Sequence, residues 1–139
     1  MTRWLPLLLV LLPLACTSSF EGIRLRAQSP SISEASRRLS LALRADDYRI
    51  AEGTILGLAF ETDWRTLKES ERGPEEQAVD DAARISVKLF QRGALYDIFL
   101  TITLRTGEGE YYPDPVHPIV AKWQKILREI VEEEFQEEG

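Results

Sequence analysis

The sequence predicts a two-layer α+β domain in which two helices cover one face of an antiparallel sheet of three to five strands. Two segments carry apolar residues at helical spacing, and they lie at the beginning and the end of the folded part. Between them, several segments alternate apolar and polar residues with a period of two. Neither helix can bury its stripe on the other and still cover the strands, so both should lie on the same side of the sheet.

The first helix should begin at a capping box. Ser31 and Glu34 have the spacing at which each side chain satisfies an otherwise unpaired backbone donor, and the helix should run to about Asp46. A short strand through Ile23 and Leu25 is possible before it. The apolar stripe consists of Ile32, Ala35, Leu39, Ala42 and Leu43.

Period-two alternation predicts the strands. Residues 48–50 form a short candidate and residues 54–67 a longer one, in which Trp64 falls on the dry face. Residues 84–92 and 95–105 alternate more regularly and are separated by a turn around Gly93, which predicts a β-hairpin.

The segment between these strands, residues 68–81, is highly charged and shows no sustained apolar period. It contains Gly73-Pro74, so we expect a long, mobile connection. The Glu75-Glu76 and Asp80-Asp81 pairs lack the spacing of a calcium loop and indicate a solvated acidic loop.

A second helix should follow Asp114-Pro115, which suit an N-cap and a first helical position. Its apolar face is formed by Ile119, Trp123, Ile126, Leu127, Ile130 and Val131. A run of glutamates ends the chain and opposes the negative end of the helix dipole, so the final turn should fray.

Composition excludes several function classes. The chain has 139 residues with one Cys and one His, so a disulfide framework and a cluster of Cys and His metal ligands cannot be built. The formal net charge of −6 disfavours nucleic acid as a partner. His117 is best explained as a surface or capping side chain, and no pattern indicates a cofactor or an enzyme.

The N-terminus has the features of an export signal. Arg3 is followed by twelve apolar residues from Trp4 to Ala15, which is too short for a permanent transmembrane helix. Leu12, Ala15 and Cys16 resemble the end of a bacterial lipoprotein signal, although Pro13 displaces the usual leucine by one place.

The lipoprotein resemblance implies cleavage before Cys16, a diacylglycerol group on its sulfur and further acylation, as by palmitate. Thr17 implies transfer to the periplasmic face of the outer membrane. Without lipid on the Cys, the product would be soluble in the periplasm. The expected organisation is a signal peptide over residues 1–15, a lipidated Cys and tether over 16–29, and one domain over 30–139.

A second resemblance begins in residues 56–65 and includes Thr62-Asp63-Trp64. After an amphipathic helix, and before a hairpin and a closing helix, this stretch is similar to the helix-grip domains of the C subunit of the β-barrel assembly machinery, BamC. The resemblance implies an α-β-β-β-α helix-grip fold, an envelope protein partner and no catalytic residues.

These observations predict a non-catalytic, membrane-anchored adaptor that binds an envelope protein, and the resemblance to BamC implies a role in outer-membrane assembly. Trp64, Tyr111 and Tyr112 are the candidate binding residues, because exposed aromatic side chains suit protein interfaces. The alternative is a periplasmic binding module for a lipid or another small apolar ligand. A carrier needs an empty pocket beside Trp123, Leu127 and Ile130, whereas an adaptor should be packed solid there.

Overall fold

A computed structural model describes residues 22–53 and 57–138, with side chains described for 22–51 and 57–131. The strands are β1 (Ile23–Ala27), β2 (Ile50–Gly53), β3 (Ala59–Thr62), β4 (Arg65–Thr66), β5 (Ala82–Arg92), β6 (Leu95–Thr106) and β7 (Gly109–Tyr111). The helices are α1 (Ile32–Ala45) and α2 (Pro118–Glu138), and a short 3-10 helix spans Glu69–Glu71. The predicted signal over residues 1–15, Cys16 and the first part of the tether lie outside the described residues.

All the described strand pairs are antiparallel and form one sheet with the order β1-β6-β5-β3-β2, while β4 pairs with β5 and β7 with β6. The α+β class with an antiparallel sheet and two helices is therefore confirmed. The expected number of three to five strands is too low, since the described sheet has seven. The short strands β4 and β7 account for the difference.

Both helices pack on one face of this sheet, which we call the covered face. Leu39 and Leu43 of α1 and Trp123 of α2 are fully buried in the same core as alternate residues of β5 and β6. The strand residues in this core include Ile85, Val87, Leu89, Tyr96, Ile98, Leu100, Ile102 and Leu104. The intervening residues of β5 and β6 point to the opposite side, which we call the open face.

The predicted start of the first helix is confirmed. Ser31 is the N-cap of α1, and its hydroxyl accepts a hydrogen bond from the backbone N–H of Glu34 at 3.3 Å. The Glu34 carboxylate accepts hydrogen bonds from Arg37 and Arg38 on the next turn. Neither described helix combines the length and apolar character that a membrane-spanning segment needs.

The second helix begins three residues later than predicted, at Pro118 instead of Pro115. Residues 114–117 form a turn closed by a hydrogen bond from the N–H of His117 to the carbonyl of Asp114, at 3.0 Å. Pro118 still occupies a first helical position, where a missing N–H costs nothing.

The placement of Trp64 on the dry face is wrong, because the predicted strand over residues 54–67 is interrupted. Glu61 pairs with Ser86 but Arg65 pairs with Ala83, so one extra residue lies on the β3–β4 side of the ladder. Such a bulge reverses the alternation of side chains. Trp64 consequently lies on the open face.

The hydroxyl of Thr62 stabilises this interruption. Thr62 is buried, and its Oγ1 accepts a hydrogen bond from the backbone N–H of Ile85 at 3.0 Å. That N–H faces the point where the register changes, so a side chain replaces the missing backbone acceptor.

The expectation of a solvated acidic loop over residues 68–81 holds for one residue of each acidic pair, the exposed Glu75 and Asp80, but it is wrong for three other carboxylates. Glu71, Glu76 and Asp81 are at most 2% exposed, and each accepts hydrogen bonds within the protein. The spacing of apolar residues could not predict these buried carboxylates, because charged side chains and not an apolar stripe hold the loop in place.

Candidate functional site

The open face carries a cavity of about 470 Å³. Alternate residues of β5 and β6 form its floor and sides, and Tyr112 closes one part of it. Its lining consists of Glu61, Arg84, Ser86, Lys88, Phe90, Phe99, Thr101, Thr103 and Tyr112. The antiparallel pairing of β5 with β6 places these residues side by side, since Ser86 is opposite Thr101 and Lys88 is opposite Phe99.

Trp64 lies beside this cavity between two arginines. The guanidinium of Arg84 is 4.6 Å from the ring centroid and that of Arg105 is 4.4 Å from it. Both distances lie within the range of a cation–π interaction. The β3–β4 bulge brings the ring over Arg84, so the same irregularity that upset the alternation creates this cluster.

A second aromatic group lies toward the hairpin end. Phe90 and Phe99 contact each other edge to face with centroids 5.7 Å apart, and the guanidinium of Arg24 lies 5.1 Å from the Phe99 ring. Phe90 is 48% exposed and Tyr112 is 52% exposed. Such exposed aromatic side chains are enriched where proteins bind partners.

Basic side chains outnumber acidic ones on the described open face, although the whole chain is acidic. The basic residues are Arg24, Arg26, Arg84, Lys88, Arg92 and Arg105, and the acidic ones are Glu61, Asp97 and Glu110. Lys88 and Arg105 are exposed and form no ion pair with a described residue. Arg84 approaches Glu61 only to 3.8 Å.

Asp97 compensates the arginines at the hairpin end. It accepts hydrogen bonds from Arg26, the shorter from Nε at 2.8 Å, and forms ion pairs with Arg92 at 2.7 Å and Arg24 at 3.5 Å. The hydrogen bond from Arg26 is the main cause that lowers the pKa of Asp97. The uncompensated positive charge of the described open face therefore lies at Lys88 and Arg105, and Arg84 is paired only at 3.8 Å with Glu61.

The covered side contains a very different cluster of charges around Glu71. Arg65 donates to both carboxylate oxygens of Glu71, at 2.9 and 2.7 Å, and Lys122 donates to Oε2 at 2.5 Å. Asp46 accepts from the same two cations at 3.0 and 2.8 Å. Burial by itself raises the pKa of Glu71, but the hydrogen bonds from Arg65 and Lys122 lower it to about 2.

Glu76 forms a second buried cluster with Tyr111 and His117. The Tyr111 hydroxyl donates to Glu76 Oε2, and Oε1 lies 2.6 Å from His117 Nε2. His117 Nδ1 accepts from the N–H of Ile119 at 3.2 Å, so the ring proton belongs on Nε2. The cluster attaches the 68–81 loop to the start of α2, which gives His117 its expected capping role.

The candidate binding residues are therefore divided by the fold. Trp64 and Tyr112 belong to the open face, whereas the Tyr111 side chain turns toward the buried Glu76. Tyr111, the last residue of β7, pairs with Leu104, whose side chain is on the covered face. Tyr112 follows it directly and points to the opposite side. The alternation of a strand explains why two adjacent tyrosines have different roles.

Sequence reasoning did not find Arg84, Lys88 or Arg105 as site residues. Their alternation with Ile85, Val87 and Leu104 is visible in the sequence, so their position on the wet face could have been inferred. Their meeting with Trp64 could not, because it depends on the bulge.

A larger cavity of about 600 Å³ lies between the 75–81 segment and β7. Glu75, Glu108 and Glu110 are among its lining residues. Within the described ranges, no group of three or more His, Cys, Asp and Glu side chains is arranged to hold a metal ion. This acidic cavity therefore offers no set of ligands comparable with the aromatic and basic groups of the open face.

The region between the sheet and α2 is filled by side chains. Trp123 is completely buried and contacts the Tyr48 ring at a centroid distance of 6.2 Å, while Leu127 is 1% exposed. The guanidinium of Arg65 lies over the Tyr48 ring, 4.1 Å from its centroid. The cavities near the surface described above do not involve Trp123, Leu127 or Ile130.

We compared the chain with protein-family models and with curated proteins. No protein-family model matches the chain, and no curated protein matches it significantly.

Proposed function

We propose that this chain is a non-catalytic envelope lipoprotein that binds a protein partner through its open face. Lipid on Cys16 would hold it at the periplasmic face of the outer membrane. The observation that carries the binding role is the open-face cavity, where the exposed rings of Phe90 and Tyr112 share the lining with Lys88, which forms no ion pair with a described residue. A role in outer-membrane assembly is the more specific form of this proposal.

The arrangement of the domain supports the resemblance to helix-grip adaptors. Apart from β1, which precedes α1, the strands lie between the two helices in the chain, and both helices pack on one sheet face. The other face stays available for contacts. In this proposal, Trp64 and Tyr112 contact the partner, and Tyr111 fixes the loop that leads into α2.

Packing beside α2 favours an adaptor over a carrier of lipid or another small apolar ligand. The two alternatives differ in their demand for empty space next to Trp123, Leu127 and Ile130. Those side chains are at most 8% exposed and belong to the continuous core. A ligand of moderate size could enter only by displacing them, which costs the packing energy of the core.

The lipid anchor is tested by expressing the full chain and its Cys16→Ala variant in a diderm host with a labelled fatty-acid precursor. We expect label and outer-membrane recovery for the natural sequence only, because two or more acyl chains hold a protein stably in a bilayer. A soluble, unlabelled product from the natural sequence would contradict the anchor.

The binding role is tested by site-directed photo-crosslinking in the protein's own host. A photoreactive amino acid replaces Ser86 on the open face, and Glu129, exposed on α2, provides the control position. We expect a discrete protein adduct from position 86 and none from position 129. An adduct pattern that is the same at both positions, or absent at both, would contradict the assignment of the open face.

A further inference from the structure

We propose that the open-face cavity accepts an extended acidic segment of the partner protein. Carboxylates of that segment would pair with Arg84 and Lys88 along β5, with Arg105 adding to the local positive charge. This inference rests on the proposed function, since it defines the chemistry of the segment that the adaptor would bind.

Charge complementarity is the first argument for this occupant. Lys88 and Arg105 have no ion-pair partner among the described residues, and Arg84 has a single long ion pair, with the exposed Glu61 at 3.8 Å. On the covered side, by contrast, the buried carboxylate of Glu71 pairs with both Arg65 and Lys122. Arg84 and Lys88 outnumber Glu61 in the cavity lining, and Arg105 adds positive charge beside Trp64, so the surface attracts a segment of opposite charge and repels a basic one.

The shape of the cavity favours a narrow chain over a flat bilayer surface. The floor carries the small hydroxyl side chains of Ser86, Thr101 and Thr103, while larger groups rise around it. A concave space of about 470 Å³ has the volume of a few side chains, and a plane of lipid headgroups would leave it unfilled. The hydroxyls can donate hydrogen bonds to a peptide carbonyl or carboxylate.

Strand geometry sets the spacing of the expected segment. Arg84 and Lys88 are four residues apart on the same face of β5, a separation of roughly 13 Å at the usual rise of a strand. An extended peptide that follows β5 would place two carboxylates four residues apart opposite these cations. Phe90 lies one further step along the same face, which suits an apolar residue two positions beyond the second carboxylate.

The test measures fluorescence anisotropy of labelled peptides with the full chain in a non-ionic detergent. The probe has two glutamates four positions apart and a phenylalanine two positions beyond the second. One comparison peptide has glutamine in both positions, and another places the two glutamates next to each other. We expect the spaced glutamate peptide to bind roughly tenfold more tightly than either comparison peptide, with affinity that falls as salt rises.

Matched variants locate the binding. Lys88→Gln/Arg105→Gln should weaken binding by at least about tenfold because it removes two cations of the open face. Lys125→Gln/Arg128→Gln changes the net charge equally on the exposed side of α2 and should leave affinity unchanged. Equal weakening by both double variants would overturn the proposal. It would mean that the net charge of the protein, and not the open face, determines the affinity for the peptide.

The outcomes distinguish the acidic segment from the proposed function itself. Failure of every peptide to bind, with a position-86 crosslink present in cells, would overturn the acidic segment and retain a protein partner. Failure of both experiments would overturn both proposals. Sedimentation with vesicles containing phosphatidylglycerol but not with pure phosphatidylcholine, without peptide binding, would show instead that the open face contacts an anionic membrane.

Discussion

The two faces of the sheet use the same kinds of side chain in opposite ways. On the covered side, Arg65 stacks on Tyr48 and also binds the carboxylates of Glu71 and Asp46. On the open face, Arg84 and Arg105 stack on Trp64, but Arg84 has only a 3.8 Å ion pair with Glu61 and Arg105 forms no ion pair with a described residue. Cations that hydrogen-bond to buried carboxylates stabilise the fold, whereas a cation that contacts only an aromatic ring stays available for a partner.

Burial explains why the two regions should respond differently to mutation. Removing one partner of a buried ion pair leaves the other charge desolvated, so the loss is large. An exposed cation can be solvated by water instead, and its removal changes stability little. The comparison therefore predicts large stability losses on the covered side and binding losses on the open face.

Glu71→Gln should have the largest effect on stability. We expect the free energy of unfolding to fall by about 3 kcal/mol, because Arg65 and Lys122 lose a buried counter-charge although Asp46 remains. Urea denaturation followed by circular dichroism measures this change. Glu69→Gln, which alters an exposed residue of the same 3-10 helix, is the control and should change stability by less than about 0.5 kcal/mol.

The stability of the protein at low pH should also depend on the cluster around Glu71. The pKa of Glu71 is lowered from 4.5 to about 2, so its carboxylate stabilises the fold above the ordinary pKa and that stability is lost as pH falls toward 2. Unfolding midpoints measured from pH 6 to pH 2 should therefore decline less steeply in Glu71→Gln than in the natural sequence. Parallel curves would show that Glu71 does not contribute to the acid sensitivity.

The β3–β4 bulge links the two faces, and Thr62→Val tests its support. This change leaves the N–H of Ile85 without its acceptor, so we expect a loss of about 1–3 kcal/mol in the free energy of unfolding. Thr62→Ser keeps the hydroxyl and should recover part of the loss. If valine were tolerated as well as serine, the hydrogen bond would not be what stabilises the register change.

Trp64→Ala should affect stability less than Glu71→Gln or Thr62→Val does, and it should have a clear effect on binding. The half-buried ring mainly contacts exposed cations, so a loss of about 1 kcal/mol in unfolding free energy is expected. Binding of the spaced glutamate peptide should weaken severalfold, because Arg84 and Arg105 lose the ring that positions them. A large stability loss with unchanged binding would reverse the roles assigned to the two faces.

Regular periodicity predicted much of the fold. The Ser31 cap, the apolar stripe through Leu39 and Leu43, and the hairpin that became β5 and β6 all follow from local patterns. These elements bury a continuous stripe or face, and the apolar residues that do so are adjacent on a helix or strand. The antiparallel sheet with two helices could be inferred for the same reason.

The candidate site could be predicted only in part, because it depends on departures from periodicity. One inserted residue between Glu61 and Arg65 moved Trp64 to the opposite face, and no local signal identified it. The buried carboxylates Glu71 and Glu76 were hidden in a charged segment, since their partners Arg65, Lys122 and His117 come from other elements. Ion pairs between residues far apart in the chain produce no periodic pattern in the sequence, so periodicity could not predict them.

The most direct test of the central claim is the yield of the position-86 crosslink in cells that carry Lys88→Gln/Arg105→Gln. We predict that the adduct is lost while the protein accumulates normally, and that Lys125→Gln/Arg128→Gln retains it. An unchanged adduct in the Lys88→Gln/Arg105→Gln protein would contradict the claim that the free cations of the open face recruit the partner.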